Sequence, residues 1–558
     1  MTVTLELLFP HLDELIQTPA DVQRLNEAIL QLAVQGKLVP QDPHDEPAGE
    51  LLKRIDLERN RLVIEGQVDK VRKLSPVGEA DFAFALPSGW SLVRLGELVS
   101  KLGAGSTPLG GKAVYQDQGI KFIRSQNVWN DGLHLDDVAF ISEEINERMA
   151  NTIVKPKDIL LNITGASIGR SAIVPDDFDL ANVSQHVAIV RLIQPELRQF
   201  LHICIVSPYT QNLITDAEVG ISREGLSMSN LQHFVIPLPP LAEQKRIVAK
   251  VDELFAQSRA LEAKLRRSQE AIVVVNRAVL HHLHHAADPA TFQHATQILG
   301  DHFDLLYTDP RPVTDLRQTI LQLAVQGKLV PQDPHDEPAG ALLKRVEKEK
   351  ERRPIKDIQE LQSGTENLLH DLPDGWILVN LGDVIELISG QHIMQADYNS
   401  ENEGIPYLTG PADFGELHPL ITKWTIKPKV TAQNGDILIT VKGAGLGKLN
   451  VVNLPEVAIS RQLMAVRSLW AVNDYIYLFL RSEFRTFQDS GVGIAIPGLS
   501  REHINRLPFP LPPLAEQKRI VAKVDELLAR CAALERKLGQ AQAAGRQLTA
   551  AVLQGVVG

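Results

Sequence analysis

Ile29–Gly49 reads ILQLAVQGKLVPQDPHDEPAG, and Ile320–Gly340 repeats all 21 residues without a change. Pro237–Leu254, PLPPLAEQKRIVAKVDEL, returns residue for residue at Pro510–Leu527. Fainter echoes lie between them. LPSGW at Leu86–Trp90 answers LPDGW at Leu372–Trp376, and DILLNITGASIG from Asp158 answers DILITVKGAGLG from Asp436. The chain is therefore written A–T–B–A–T–B, with short helical A blocks, long variable T blocks and helical B blocks. A period of half the chain means one duplicated domain pair, not a solenoid. The frame is near-identical in both copies while the T blocks diverge. They also differ in length, Gly49 to Pro237 spanning 188 residues and Gly340 to Pro510 spanning 170. One scaffold carrying two unlike modules suits a molecule that reads two different things.

Each B block opens on a proline cluster, read as a stop that neither continues a strand nor sits inside a helix. A heptad seam follows: Ile247, Val251, Leu254, Ser258, Leu261, Leu265, Ser268, Ile272, Val275 and Val279, then Ile520, Val524, Leu527, Cys531, Leu534, Leu538, Ala541, Gly545, Leu548 and Val552. Spacing alternates 4 and 3, the pattern of a coiled coil. Ten of these form the expected helix-pair seam: Val251, Leu254, Leu261, Leu265, Ile272, Val524, Leu527, Leu534, Leu538 and Leu548. Duplicated surfaces are self-complementary about a pseudo-twofold axis, so the two B helices are expected to pack on each other. The A helices, Leu25–Gln35 and Leu316–Gln326, end at Gly36 and Gly327. The order also lets the first A block meet the last B helix, mimicking a cyclic dimer.

The fold class that follows is α+β: two globular modules separated by two long antiparallel coiled-coil helices, a tandem duplication with pseudo-twofold symmetry. Residues 1–85 hold a helical block and linker, 86–237 the first module, 238–371 the central helix with the second A block and linker, 372–509 the second module, and 510–558 the last helix. The charged segments 56–85 and 346–371 read as linkers. Both modules show β-branched runs of 4–8 residues between turn residues.

Composition sets the limits on function. The 558 residues are 44% hydrophobic with a net charge of −12, so the molecule is not a simple polycation. Two cysteines, Cys204 and Cys531, cannot build a disulfide framework and fit a reducing compartment. MTVTLELLFPHLDEL has no basic flank before its apolar residues, unlike a secretory signal, and the longest apolar candidate, Ala271–Leu280, is too short to span a bilayer. A cytoplasmic protein is expected.

Motifs for catalysis are missing from the reading. GAGSTPLGGKA at Gly103 lacks the first glycine and the Ser/Thr of a phosphate loop, and KGAGLGK at Lys442 joins strands and opens no helix. His281, His282, His284 and His285 have no accompanying ligand pattern and read as a solvated helix end, so no metal is expected. The modules instead carry polar, donor-rich loops of the kind that hydrogen-bond base edges and phosphates. The DNA-contact candidates are Arg124, Gln126, Asn127, Thr164, Ser167, Arg170, Gln185, His186 and Arg223 in the first module. In the second they are Lys423, Lys427, Lys442, Lys448, Arg461, Gln462 and Arg501. Residues 86–237 hold 12 Lys/Arg against 16 Asp/Glu, and 372–509 hold 11 against 14. Any grip on DNA must therefore segregate its cations or borrow them from partners.

PLPPLAEQKRIVAKVDEL ahead of a heptad helix, together with LRQTILQLAVQGKLVPQDP, resembles the specificity subunit of type I restriction–modification systems. The resemblance covers both A blocks, both B blocks and the outline of both T blocks. It implies that each T block is a target-recognition domain for one half of a split, asymmetric sequence in double-stranded DNA, and that the helices act as a ruler. It implies docking of two methyltransferase subunits and of restriction/translocase subunits, with S-adenosylmethionine, ATP and Mg²⁺ belonging to those partners and no cofactor or catalysis in this chain. Two other readings are a specificity subunit serving a fused nuclease–methyltransferase and a non-catalytic coiled-coil adaptor.

Overall fold

Both copies of the 21-residue repeat fold as a helix, a Gly turn and a proline-rich loop. The computed structural model describes residues 15–68, 74–78, 82, 84–219, 225–352, 372–443, 445–470, 473–489 and 498–557. Six frame helices matter: α1 (Pro19–Val34), α2 (Ala48–Ile64), α3 (Leu241–His284), α4 (Arg311–Val325), α5 (Ala339–Arg352) and α6 (Leu514–Val557). α1 starts at Thr18, whose side chain accepts from the Asp21 amide while Asp21 accepts from the Thr18 amide, a capping box with Pro19 in the first turn. It ends in a Schellman turn, with the Gly36 amide donating to Ala33 and the Lys37 amide to Leu32. Gly36 has φ +67° and Gly327 φ +70°. A Cβ there would lie 2.5 Å from the Pro87 ring and 2.4 Å from the Pro373 ring respectively, so glycine is required twice over.

Those prolines belong to the LPSGW and LPDGW echoes, and the contact explains what the repeats build. Trp90 Nε1 donates to buried Glu243 at 3.0 Å, and Trp376 Nε1 donates to buried Glu516 at 2.9 Å. Arg246 pairs with Asp45 at 2.7 Å, and Arg519 with Asp336 at 2.7 Å. The Ala48 amide donates to Gly89 and the Ala339 amide to Gly375. Each junction thus ties an A tail, a module entry and the first turn of a long helix together. The same knot is tied twice, which accounts for the same residues appearing twice.

Burial pushes the carboxyl of Glu516 above the usual carboxylate range, against the opposing pull of Trp376, Gln332 and Arg519, and Glu243 is raised for the same first reason. An acid whose pKa is raised on folding stabilises most below its unfolded value of 4.5, and that contribution fades as pH climbs through the raised value. Relative to the parent protein, the Glu243→Gln/Glu516→Gln variant should therefore gain stability steadily from pH 4.5 towards neutrality. Urea unfolding across that range checks it, and a difference that does not vary with pH would refute it.

The chain divides into two compact units, Met1–Ser268 with Ala543–Gly558, and Gln269–Gln542. Both long helices are 44 residues, about 66 Å at 1.5 Å per residue, and each contributes its start to one unit and its end to the other. In the first unit the A block bonds the end of α6, through Arg24 of α1 to the Arg546 carbonyl and Lys37 after the Gly36 turn to the Val557 carbonyl. It meets the start of α3 through Asn26 and Ser258. From Arg24 to Lys37 the partner on α6 rises from Arg546 to Val557, while from Asn26 to Asp45 the partner on α3 falls from Ser258 to Arg246, so α3 and α6 run antiparallel there. Leu261 and Leu265 share a core with Val552, Leu553 and Val556. In the second unit α4 repeats this with the end of α3 (Asp315 to Arg277, Lys328 to the His284 carbonyl) and the start of α6 (Arg317 to Glu535). The expected meeting of first A and last B is present.

Three expectations need correction. Val275 and Leu548 are 51% and 59% exposed, and buried Asn276 and Thr549 stand in their place. A straight helix drifts about 20° per heptad, so four heptads from Ile247 move the buried line by nearly one residue. Secondly, the prolines do not exclude strand. Pro237 lies in Val235–Leu238, paired with Ser91–Arg94, and Pro508 and Pro510 lie in Pro508–Leu511, paired with Ile377–Asn380. A two-stranded ribbon leaves one edge free of ladder bonds, where proline is tolerated. Thirdly, 56–64 and 346–352 are helical, as the ends of α2 and α5. Leu51, Ile55, Leu342 and Val346 are buried, while pairs such as Arg61 with Glu58 cover the outer face.

Each module pairs two sheets. The first has Val99–Ala104, Val187–Leu192, Ile159–Asn162 and Ser171–Ile173 in antiparallel order, beside Ala139–Ile141, Ile120–Ile123, Ala181–Val183 and Ile153–Val154. The second repeats the plan with Ile385–Ser389, Leu463–Ser468, Ile437–Thr440 and Leu449–Val451 beside a five-stranded sheet. The Asp of each DIL echo is buried and bridges two strands: Asp158 meets Arg191 at 2.7 Å and Asp436 meets Arg467 at 2.7 Å.

Candidate nucleic-acid interface

Strand ends bring the polar loops of each module together. In the first, buried Asn162 donates to the Ser125 carbonyl at 2.8 Å and to Ser167 Oγ at 3.1 Å. The Ser171 amide donates to Asn130 Oδ1, the Ser184 amide to the Ile123 carbonyl and the Ile163 amide to the His186 carbonyl. Thr164 Oγ1 lies 2.6 Å from His186 Nδ1, and Leu226 returns to the Ile163 carbonyl. The loops at 105–111, 124–130, 164–170 and 184–186 thus share one rim. In the second module the Val441 amide donates to the Gln462 carbonyl and the Leu499 amide to the Val441 carbonyl. Ser460 Oγ reaches the Thr409 carbonyl. The loops at 390–394, 409–413, 445–448 and 460–462, with Lys442, converge in the same way.

The candidates divide into free ends and braces. Gln185, His186, Lys442, Lys448, Arg461 and Gln462 are exposed on the rims, His186 bonding Thr164. Thr164 and Ser167 are half-buried pins between loops. Arg170 lays its guanidinium 3.8 Å from the centre of the Trp129 ring, which is 37% exposed and stacks on His134. Lys423 lies over Tyr398 and reaches Thr409, while Lys427 pairs with Asp397 at 2.7 Å.

Several choices turn inward. Asn127 is fully buried, donating to the His134 carbonyl and to Asp137, so it holds its own turn and offers nothing to a base edge. Half-buried Arg124 donates to the Asp137 carbonyl and lies over Tyr115, whereas Gln126 stays exposed while donating to the Asp137 carboxylate. Arg501 donates to the Leu387 carbonyl at 2.7 Å and to Ser389 Oγ, fastening a strand end. Arg223 lies outside the described residues. Trp129 and His134, outside the sequence candidates, stack on each other at the mouth of an Asn130–Gly132 turn.

Among the described residues no group of three or more His, Cys, Asp or Glu is placed to hold a metal ion. His281, His282 and His285 are exposed at the end of α3, whereas half-buried His284 meets Gln326 of the A block, and its burial lowers its pKa to about 4. Cys204 and Cys531 are buried free thiols, both pushed up by burial and so unsuited to nucleophilic attack. No described helix is long and apolar enough to cross a membrane.

Three comparisons bear on this arrangement. A model of the type I restriction modification DNA specificity domain matches residues 87–269 and again 373–541, together more than half the chain. The type I restriction enzyme EcoEI specificity subunit of Escherichia coli is 29% identical, over 93% of this chain and 91% of that subunit. The EcoAI specificity subunit of the same species is 28% identical, over 91% and 89%. A solved chain from work on complex assembly and conformational transition of the type I R-M system has 24% identity and a TM-score of 0.52. It covers 85% of this chain and 99% of its own, a likeness in fold.

Proposed function

Since this chain belongs to the family of type I restriction–modification DNA specificity subunits, we propose that each module reads one half of a bipartite, asymmetric target in double-stranded DNA. α3 and α6 set the gap between the halves. Two methyltransferase subunits dock on the frame, and restriction/translocase subunits join them. The chain itself is non-catalytic, and S-adenosylmethionine, ATP and Mg²⁺ serve those partners.

The observation that carries this reading is the contrast between junctions and rims. The Trp–Glu junction is built identically in both copies, while the loops displayed at the rims share almost no side chain beyond the glycines that shape them. Rim chemistry of exposed Gln, His, Lys and Arg matches the donors and acceptors of base edges.

Whole-genome methylation mapping of the complex purified with its native partners should yield a two-part motif with a fixed nonspecific gap. Exchange of residues 86–237 for another member's module should change one half and leave the other and the gap untouched. Simultaneous change of both halves would contradict the reading. A protein-binding adaptor instead predicts no sequence-selective DNA binding even with partners present.

A further inference from the structure

The first module carries a leucine where the fold gives it nothing to touch. Leu109 is 97% exposed, directly after buried Pro108. Met394 in the second module is 66% exposed, directly after Ile393, which is 1% exposed. The two occupy the same place. Each follows a glycine whose Cβ would strike the neighbouring loop, Gly105 at 2.2 Å from the Val183 carbonyl and Gly390 at 2.1 Å from the Ser460 carbonyl. Each precedes a short 3₁₀ turn, Gly111–Val114 and Gln395–Asp397. A lone exposed apolar residue is ordinary. A large apolar residue exposed at the same tip of both modules, whose sequences otherwise diverge, is a feature the two share.

The loop that each glycine clamps supplies the companion. Gly105 and Ser106 donate their amides to Val187 and Val183, bracketing the loop 184–186 with Gln185 at its middle, and Gly390 and Gln391 donate to Leu463 and Ile459, bracketing the loop 460–462 with Gln462 one position further on. Both glutamines are exposed. In the major groove a glutamine reads adenine through N6 and N7, and an apolar side chain reads the 5-methyl group of thymine. Gln and Leu, or Gln and Met, are the two chemistries that one A·T pair presents.

We infer that Leu109 and Met394 are specificity-determining residues, each packing on a thymine methyl in its own half-site beside the adenine read by Gln185 or Gln462. This rests on the two-half-site reading above. The test uses the complete complex and duplexes in which deoxyuridine, lacking the methyl, replaces one thymine at a time. With the parent protein, one position in each half-site should weaken binding about fourfold, the contribution of one buried methyl. In Leu109→Ala the penalty should vanish in the first half-site and persist in the second, with the converse for Met394→Ala. Both residues are exposed, so neither substitution threatens the fold.

The inference is overturned if deoxyuridine costs nothing anywhere, if its cost survives Leu109→Ala undiminished, or if a half-site contains no A·T pair. It is also overturned if Leu109→Ala weakens every duplex equally, which would mark a wedge between base steps. Parent protein that shows no half-site preference at all would instead defeat the function on which the inference stands.

Discussion

Replacing Trp376 by alanine should lower the stability of the second unit by about 4 kcal/mol, the usual range for removing a buried tryptophan. The indole is 6% exposed and packs edge-on against Tyr475, with ring centres 6.4 Å apart. Its loss opens a cavity where the A tail, the module entry and α6 meet. It also strips Glu516 of its 2.9 Å Trp376 donor, leaving Gln332 at 3.2 Å to offset the burial alone, and an under-bonded buried carboxylate is costly. Trp376→Phe separates the two effects by keeping most of the volume and losing only the N–H, so it should cost about 1–3 kcal/mol. For a unit of this size 4 kcal/mol corresponds to a fall of roughly 10 °C in Tm. Calorimetry should show that fall in the transition of the second unit, with the first, held by Trp90 and Glu243, unmoved. A shift of a degree or two would mean that the knot is decoration.

That junction shows why so much of the architecture was legible beforehand. A stretch repeated residue for residue must perform one packing task twice, and the tasks proved to be Gly36 on Pro87 and Trp90 on Glu243, with their second-copy partners. The heptads, Ile247–Val279 and Ile520–Val552, fell inside the two long helices Leu241–His284 and Leu514–Val557. They failed at Val275 and Leu548, because a 3.5-residue pattern carried over four heptads outruns a 3.6-residue helix. The prolines of Pro508–Leu511 misled because a general rule about sheet interiors was applied to a ribbon with free edges.

The rims were legible as loops but not as side chains. Arg461 and Arg501 look alike in sequence, each following a serine; one is exposed and the other is spent on the Leu387 carbonyl. Polarity says that a group will find hydrogen bonds, and only the fold says whether its partner is its own backbone. Trp129 and Leu109 escaped for the opposite reason. An apolar residue is assigned to a core by default, and nothing local reveals that the chain has carried it to a tip.

The account rests on α3 and α6 acting as a ruler between two readers. Four residues inserted between Ser268 and Gln269, matched by four between Gln542 and Ala543, add about one turn, or 6 Å, to both helices. At 3.4 Å per base pair, methylation mapping of this variant with its partners should return the same two half-sites separated by a gap one or two base pairs longer. An unchanged gap with both half-sites intact would contradict the account.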